Sequence, residues 1–303
     1  MLKPKGLGKS TLENTRIMKV AIIGCGYTGE KLAYKLVKEG HHVTVTNRTE
    51  DKHAVFRERD LQPVLFEQNA PDKEYHELLS DVELIYYLAP PNPSIEPEWI
   101  CEKIQKATPN LQVLVYGSTT GVYGHREIQD EWIDESSGSG PLEPRGQRRA
   151  DMESALVRAG VPTKIVRIAG IYGPGRTLAH RIRTPNWPLF DGAPKTSRIH
   201  VDDLVSILIA MNSQTAPNLI NACDDLPCTT LEVARFTAGL LNIDLPKLVT
   251  REEARERMSE IAWSFRANGR TCRSLYRDSL VGPLRYPTYQ EGVTASLKEE
   301  GLL

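Results

Sequence analysis

Short apolar runs alternate along this chain with stretches whose apolar residues recur every three or four positions. Lys19–Ile23 (KVAII) has the continuous apolar character of a buried strand. Glu30–Glu39 (EKLAYKLVKE) follows, with Leu32, Ala33, Leu36 and Val37 on one helical face. The same reasoning predicts strands at His42–Thr46, Gln62–Phe66, Val82–Leu88, Leu111–Tyr116 and Thr163–Ile168. Helices are predicted at Pro97–Ala107 and at about Gln147–Ala159, and Gly117–Glu143 reads as loop. Leu231–Leu241 and Tyr289–Leu303 read as amphipathic helices that carry no chemistry of their own. Regular strand–helix alternation implies an α/β fold, a doubly wound parallel sheet with helices on both faces. Such sheets bind ligands beyond the carboxyl ends of their strands, where the strand order reverses. The loops at 24–29, 47–48, 89–91, 117–124 and 169–176 fall at those ends.

The junction between the first strand and helix carries the clearest chemistry. It reads Gly24-Cys25-Gly26-Tyr27-Thr28-Gly29, a G-x-G-x-x-G between strand and helix. In a Rossmann-like fold the first glycine makes the tight turn and the second lets backbone approach a pyrophosphate. The third packs helix on strand, and the phosphates rest on the free amides of the helix N-terminus. Ala89 and Pro90, after the fourth strand, form the expected opposite wall of that cofactor site. The second strand ends in Asn47-Arg48-Thr49. The carboxylate that usually bonds the ribose of NAD is missing, and Arg48 offers a planar donor fork to a 2′-phosphate. NADP is the expected cofactor, with NAD as the alternative.

Composition narrows the picture further. The 303 residues carry a formal net charge of −1, which gives no electrostatic case for nucleic acid or an anionic membrane. No apolar run approaches the ~20 residues of a membrane helix. Cys25, Cys101, Cys223, Cys228 and Cys272 are scattered without a C-x-x-C pair, so no metal is expected and a reducing cytoplasm fits. Residues 1–17 are polar and basic and lack the apolar core of a secretion signal; they read as a flexible tail. Within them, Gly6–Thr11 (GLGKST) imitates the end of a phosphate-binding loop, but neither its first glycine nor a preceding strand is present.

Four landmarks occur in a familiar order: GCGYTG at Gly24–Gly29, STTGVYG at Ser118–Gly124, VRIAGIYGPGR at Val166–Arg176 and RIHVDDL at Arg198–Leu204. NACDDLP at Asn221–Pro227 adds a fifth. With these the chain resembles an extended, atypical short-chain dehydrogenase/reductase of the NAD-dependent epimerase/dehydratase family, from residue 18 to about 300. The resemblance implies that Thr119 polarises the substrate's reacting oxygen and that Tyr123 and Gly124 shape the pocket. It implies that Tyr172 and Pro174 lead to the nicotinamide end. His200 and Asp202 fall at a strand-to-helix junction and read as scaffold.

One departure dominates. The family's P-Y-G-x-S-K-x-x-x-E run is here Pro144-Arg145-Gly146-Gln147-Arg148-Arg149-Ala150-Asp151-Met152-Glu153. The proton-passing tyrosine is replaced by Arg145, and the lysine that tunes it by Arg149. An arginine cannot give up its proton at working pH. Losing a positioned acid–base group costs about 10²–10⁴-fold in rate. Arg149 could keep the lysine's electrostatic role and bond the cofactor ribose, while Arg145 could hold a substrate carboxylate or phosphate. Both could instead be exposed helix charges.

The expected organisation is a dinucleotide domain over residues 18–171, rejoined by 199–223, and a smaller C-terminal substrate lobe built from 172–198 and 224–303. Arg176, His180, Arg181 and Arg183 are candidate contacts to an anionic substrate such as a nucleotide sugar. Two functions stay open. One is an NADP-dependent oxidoreductase or epimerase/dehydratase working without the Tyr/Lys pair, its proton coming from water, Tyr123 or the substrate. The other is a non-catalytic NADP(H)-responsive binding protein. A small-molecule substrate is the expected partner, and a homodimer is left open.

Overall fold

The computed structural model describes residues 16–125 and 131–303. Most of the predicted tail, including the GLGKST run, lies outside the described residues. The chain opens with β1 (Lys19–Ile23), α1 (Tyr27–Lys38), β2 (His42–Asn47), α2 (His53–Arg57) and β3 (Gln62–Leu65). It continues through α3 (Asp72–Leu79), β4 (Leu84–Tyr87), α4 (Pro97–Ala107) and β5 (Val113–Thr119). A short 3-10 turn at Thr120–Tyr123 leads to β6 (Trp132–Ile133), α5 (Pro144–Arg158) and β7 (Thr163–Ile168). Then come β8 (Gly170–Tyr172), α6 (Ala179–Ile182), β9 (Arg198–His200), α7 (Val201–Ala210) and β10 (Leu219–Ala222). The C-terminal part adds α8 (Thr230–Leu241), α9 (Arg251–Arg257), α10 (Glu260–Ala267), β11 (Thr271–Cys272), α11 (Arg277–Val281) and α12 (Tyr289–Glu299).

Seven strands form one sheet in the order β10-β7-β5-β4-β1-β2-β3, every pairing parallel. The order reverses between β1 and β4, and the glycine turn opens there. Each face has its own core. On one side Leu32 and Leu36 of α1 and Leu204 and Leu208 of α7 pack with Val20, Ile22 and Val45. On the other, Leu79, Ile104, Met152 and Leu156 cover Ile23, Ile85 and Leu114. Burial of both faces explains why the strands read as continuous apolar runs rather than alternating ones.

Several boundaries differ from the sequence expectation. β5 runs on to Thr119 instead of stopping at Tyr116, because Gly117, Ser118 and Thr119 pair with Val166, Arg167 and Ile168 of β7. The segment read as loop from Gly117 therefore begins as strand, and later contributes the two residues of β6, which pair with β11. α5 starts at Pro144 rather than near Gln147. Proline suits a first helical turn, where its missing N–H has no partner to lose. Phe66 and Val82 fall outside their strands, and the last helix stops at Glu299.

Outside the sheet, two apolar clusters hold the C-terminal elements. Tyr172, Val233, Tyr289 and Leu297 form one, and Ile182, Trp187, Leu231 and Ala238 the other. α8 starts with a full capping box: Thr229 accepts from the Glu232 amide, and the Glu232 carboxylate accepts from the Thr229 amide at 2.7 Å. These elements stand over the carboxyl ends of β4, β5 and β7.

Candidate functional site

The glycine turn is braced from β2. The Gly24 amide donates to Thr46 Oγ1 at 3.0 Å, and the Cys25 amide to the Thr46 carbonyl at 2.9 Å. Gly24 has φ +89°, and a Cβ there would lie 2.6 Å from the Ala89 nitrogen, so no other residue fits. Gly26 is the opposite case. An added Cβ would meet nothing within 4 Å and would fill the open space in front of the helix. Gly26 is the N-cap of α1 and offers no side chain to the first amides; the first intrahelical bond runs from Glu30 to the Gly26 carbonyl at 2.8 Å. The amides of Tyr27, Thr28 and Gly29 precede it. A cradle lined by amides that have no partner among the described residues fits a pyrophosphate.

At the end of β2 the side-chain amide of Asn47 donates to the Cys25 carbonyl at 3.0 Å, so this half of Asn47 supports the turn. Its Oδ1 is buried and has no partner among the described residues. Arg48 is exposed, with no ion pair among the described residues. Across the turn, the Ala89 amide bonds the Ile23 carbonyl at 2.9 Å, and Pro90 is exposed with its carbonyl accepting from Gln68.

A cavity of about 650 Å³ opens where the strand ends meet the C-terminal elements. Thr28, Thr119 and Gly124 lie on its wall, as do Arg145 and Arg149. Thr119 Oγ1 accepts the Gly121 amide at 3.1 Å, capping the 3-10 turn, and its proton remains free to donate.

The two arginines on α5 differ. Arg149 is buried, against the reading of an exposed charge. Its Nη1 donates to the Gly117 carbonyl at 2.6 Å and reaches the Tyr116 hydroxyl at 3.3 Å and the Ala89 carbonyl at 3.5 Å. Arg145 is exposed on the cavity wall, and burial together with Arg149 and Arg148 pushes its guanidinium pKa down. Below them Glu153 pairs with Arg167, at 2.7 Å to Nη2, and accepts from the Ser118 hydroxyl. This buried pair fixes α5 against β5 and β7.

Three expectations are corrected. Tyr123 is fully buried and off the cavity wall: its hydroxyl donates to Asn221 Oδ1 at 2.9 Å, and Arg167 lies 4.7 Å over its ring. The 3-10 turn sends it inward, away from the cavity. His180 and Arg183 are exposed and do not line the cavity. Helical spacing explains this: positions 178 and 181 share one face, and 180 and 183 another. Leu178, Arg181 and Arg176 do line it. His200 stays in the scaffold, 1 % exposed, its Nδ1 accepting the Asp202 amide and its Nε2 near Ser296 Oγ at 3.2 Å. Burial lowers its pKa to about 4.

The sequence reading missed the far end of the cavity. Arg198, Arg266 and Arg270 line it beside Phe265. Arg198 is held by the Thr196 and Cys228 carbonyls at 2.9 and 2.7 Å, with no carboxylate partner among the described residues. Arg266 lies 4.8 Å over Trp187 and donates to the Pro188 carbonyl; burial, then Arg181 and Arg198, lower its pKa to about 10. Arg270 Nε is buried with no hydrogen-bond partner among the described residues. Arg198 sits inside a landmark that was read for its histidine, and nothing in SFRANGR at Ser264–Arg270 marks its arginines as inward. Seven arginines thus face one acid, Glu143, which is itself bonded by Ser264 and by Asn268 Nδ2 at 2.5 Å. His125 is a further wall residue that was not singled out.

Among the described residues no cluster of three or more His, Cys, Asp or Glu is placed to hold a metal, and no helix is long and apolar enough to cross a membrane. All five cysteines are buried.

Comparison with known proteins agrees with this architecture. Residues 19–82, from β1 through α3, match the family described as NADP oxidoreductase, coenzyme F420-dependent. A functionally unknown conserved protein from Silicibacter pomeroyi superposes with a TM-score of 0.81 at 27% identity, covering 93% of this chain and 99% of that one. UDP-glucuronic acid 4-epimerase from Bacillus cereus, solved with UDP-glucuronic acid and NAD, gives 0.72 at 17% identity over 93% and 100%. The chain has the extended short-chain dehydrogenase/reductase fold of the NAD-dependent epimerases and dehydratases. Its seven-stranded parallel sheet has the Rossmann arrangement. The Escherichia coli K12 protein YeeZ is also similar, 24% identical over 216 residues, 68% of this chain and 77% of YeeZ.

Proposed function

We propose that this protein is an NADP(H)-dependent oxidoreductase or epimerase/dehydratase that acts on an anionic, nucleotide-sugar-like substrate without a Tyr/Lys pair. The excess of seven arginines over one acid in a single cavity beside the glycine turn carries this reading. A ligand bearing two or more negative charges is the chemical complement of such a wall. The nucleotide sugar in the solved epimerase complex is of that class.

When bound, the dinucleotide supplies or accepts hydride. The amides of Tyr27, Thr28 and Gly29 hold its phosphates, and Arg48 takes the 2′-phosphate. Thr119 donates its hydroxyl proton as a hydrogen bond to the substrate oxygen. Arg145 stabilises negative charge that develops there, as a preorganised cation in a partly enclosed site does. Arg149 is committed to the Gly117 carbonyl through Nη1, leaving Nη2 and Nε for the cofactor ribose. With Tyr123 out of reach, the proton comes from water, from the substrate or from His125. At the far end Arg198, Arg266 and Arg270 hold the anionic tail. Five buried cysteines, none of them in a C-x-x-C pair, suit a reducing cytoplasm.

The test is mass spectrometry of small molecules that co-purify with the protein, followed by NADPH turnover on nucleotide sugars and carbonyl compounds. Turnover on an anionic substrate that falls at least ~10-fold in Arg145→Ala supports the reading. The loss of both acid–base residues favours a second reading, a non-catalytic NADP(H)-responsive binding protein. Tight NADPH binding with no hydride transfer to any substrate would select it.

A further inference from the structure

The cavity wall runs from Thr28, in the first turn of α1, to Arg176 on the loop after β8. That loop is held from two directions. The Tyr27 hydroxyl donates to the Pro174 carbonyl at 2.9 Å. Just past α12, Glu300 Oε1 accepts from the Gly175 amide at 2.9 Å and from the Thr177 hydroxyl at 3.4 Å. The Arg176 amide closes the turn onto the Gly173 carbonyl at 2.8 Å. These contacts set the Arg176 guanidinium 5.0 Å from the centre of the Tyr27 ring.

Tyr27 is the first residue of α1, so this cation stands over a ring that springs from the helix N-terminus, and it shares a cavity wall with Thr28, one of the three residues whose amides precede the first intrahelical bond. Among the described residues no carboxylate pairs with it. Glu300 is engaged with the loop backbone, and Glu299 and Asp202 share Lys31 at 3.8 and 3.4 Å. Among the described residues Arg176 has no ion pair and no side-chain hydrogen bond. An unpaired guanidinium on a braced loop, on the same cavity wall as the start of α1, suits a diphosphate: the amides supply oriented partial charge and the arginine a whole one. The cation also faces the helix end from another part of the chain, so it can close on a ligand already resting there.

Building on the dinucleotide reading above, we propose that Arg176 grips the cofactor pyrophosphate opposite the α1 amides, and is not a substrate contact. Glu300 acts as a positioning residue for it. The grip is blind to the 2′-phosphate, which separates it from Arg48.

The experiment is calorimetric titration of wild type, Arg176→Ala, Glu300→Gln and Arg48→Ala with NADPH, NADH, ADP-ribose, 2′-AMP and UDP, with melting curves to confirm folding. Arg176→Ala is expected to weaken NADPH, NADH and ADP-ribose alike, by roughly 10- to 100-fold, and to leave 2′-AMP and UDP unchanged. Glu300→Gln should show a smaller loss in the same pattern. Arg48→Ala should weaken NADPH and 2′-AMP while sparing NADH and ADP-ribose. Equal ADP-ribose affinity in wild type and Arg176→Ala would overturn the grip alone, and a loss confined to UDP would return Arg176 to the substrate. Absence of any dinucleotide binding by wild type would remove the cofactor reading itself, a different result from either.

Discussion

Single residues decide where an anion can rest. Gly24 and Gly26 are two positions apart and fail differently when changed. Gly24→Ala forces a Cβ against the Ala89 backbone at a left-handed φ, so it should lower the melting temperature and cost about 1–3 kcal/mol in urea denaturation. Gly26→Ala meets no protein atom. It should melt like wild type yet lose at least ~10-fold in NADPH affinity, because its methyl group occupies the phosphate cradle. If both variants bind NADPH normally, the glycine turn is only a turn. In the proposed function Arg48 sets the choice between cofactors. Removing it should erase a preference of roughly 10-fold or more for NADPH over NADH, read by fluorescence titration.

At the scale of elements, helix α5 shows what the sequence could and could not reveal. Its position in the chain, its register with a known run and its two arginines were all readable from residue order. Where those arginines point was not. Arg149 turns to the Gly117 carbonyl because β5 extends to Thr119 and ends beside it, and that extension depends on pairing with β7. Local pattern does not contain a pairing partner 40 or more positions away. The same holds for Arg198, Arg266 and Arg270, which come from three separate elements or loops and meet only through tertiary packing. By contrast β1, α4 and β7 were legible to the residue and α1 to within three residues, since burial on both faces or one stripe leaves its period in the sequence. Tyr123 was misplaced because a 3-10 turn reverses which side chain faces inward. The Glu153–Arg167 pair fixes α5 to the sheet, and both residues are mostly buried. Glu153→Ala leaves Arg167 uncompensated and should destabilise the fold by about 3–5 kcal/mol in urea unfolding. A loss under ~1 kcal/mol would mean that α5 is held by its apolar face alone.

The molecule as a whole should respond to pH through two buried groups. Asp224, at the carboxyl end of β10, is 1 % exposed. Burial raises its pKa to about 8. The folded state then keeps a proton that the unfolded chain releases near pH 4, so this contribution to stability is lost as pH rises toward 8. His200 acts in the opposite sense. Its pKa is lowered to about 4, so its contribution is present above pH 6.5 and lost as pH falls toward 4. The two oppose each other between about pH 4 and 6.5. Above that window Asp224 acts without this counterweight. Stability should therefore fall between pH 6.5 and 8 with a slope of up to about 1.4 kcal/mol per unit. Asp224→Asn should flatten that slope in chemical denaturation, and an unchanged slope would show that the carboxyl is already ionised.

Every functional step in this account depends on an NADP-sized ligand seated between α1, Arg48 and the cavity arginines. The most direct measurement is isothermal titration of folded wild-type protein with NADPH and with NADH. The account predicts one site per chain, saturable by NADPH at micromolar concentration or below, and at least ~10-fold weaker for NADH. Protein that melts cooperatively but takes up neither nucleotide at millimolar concentration would contradict it.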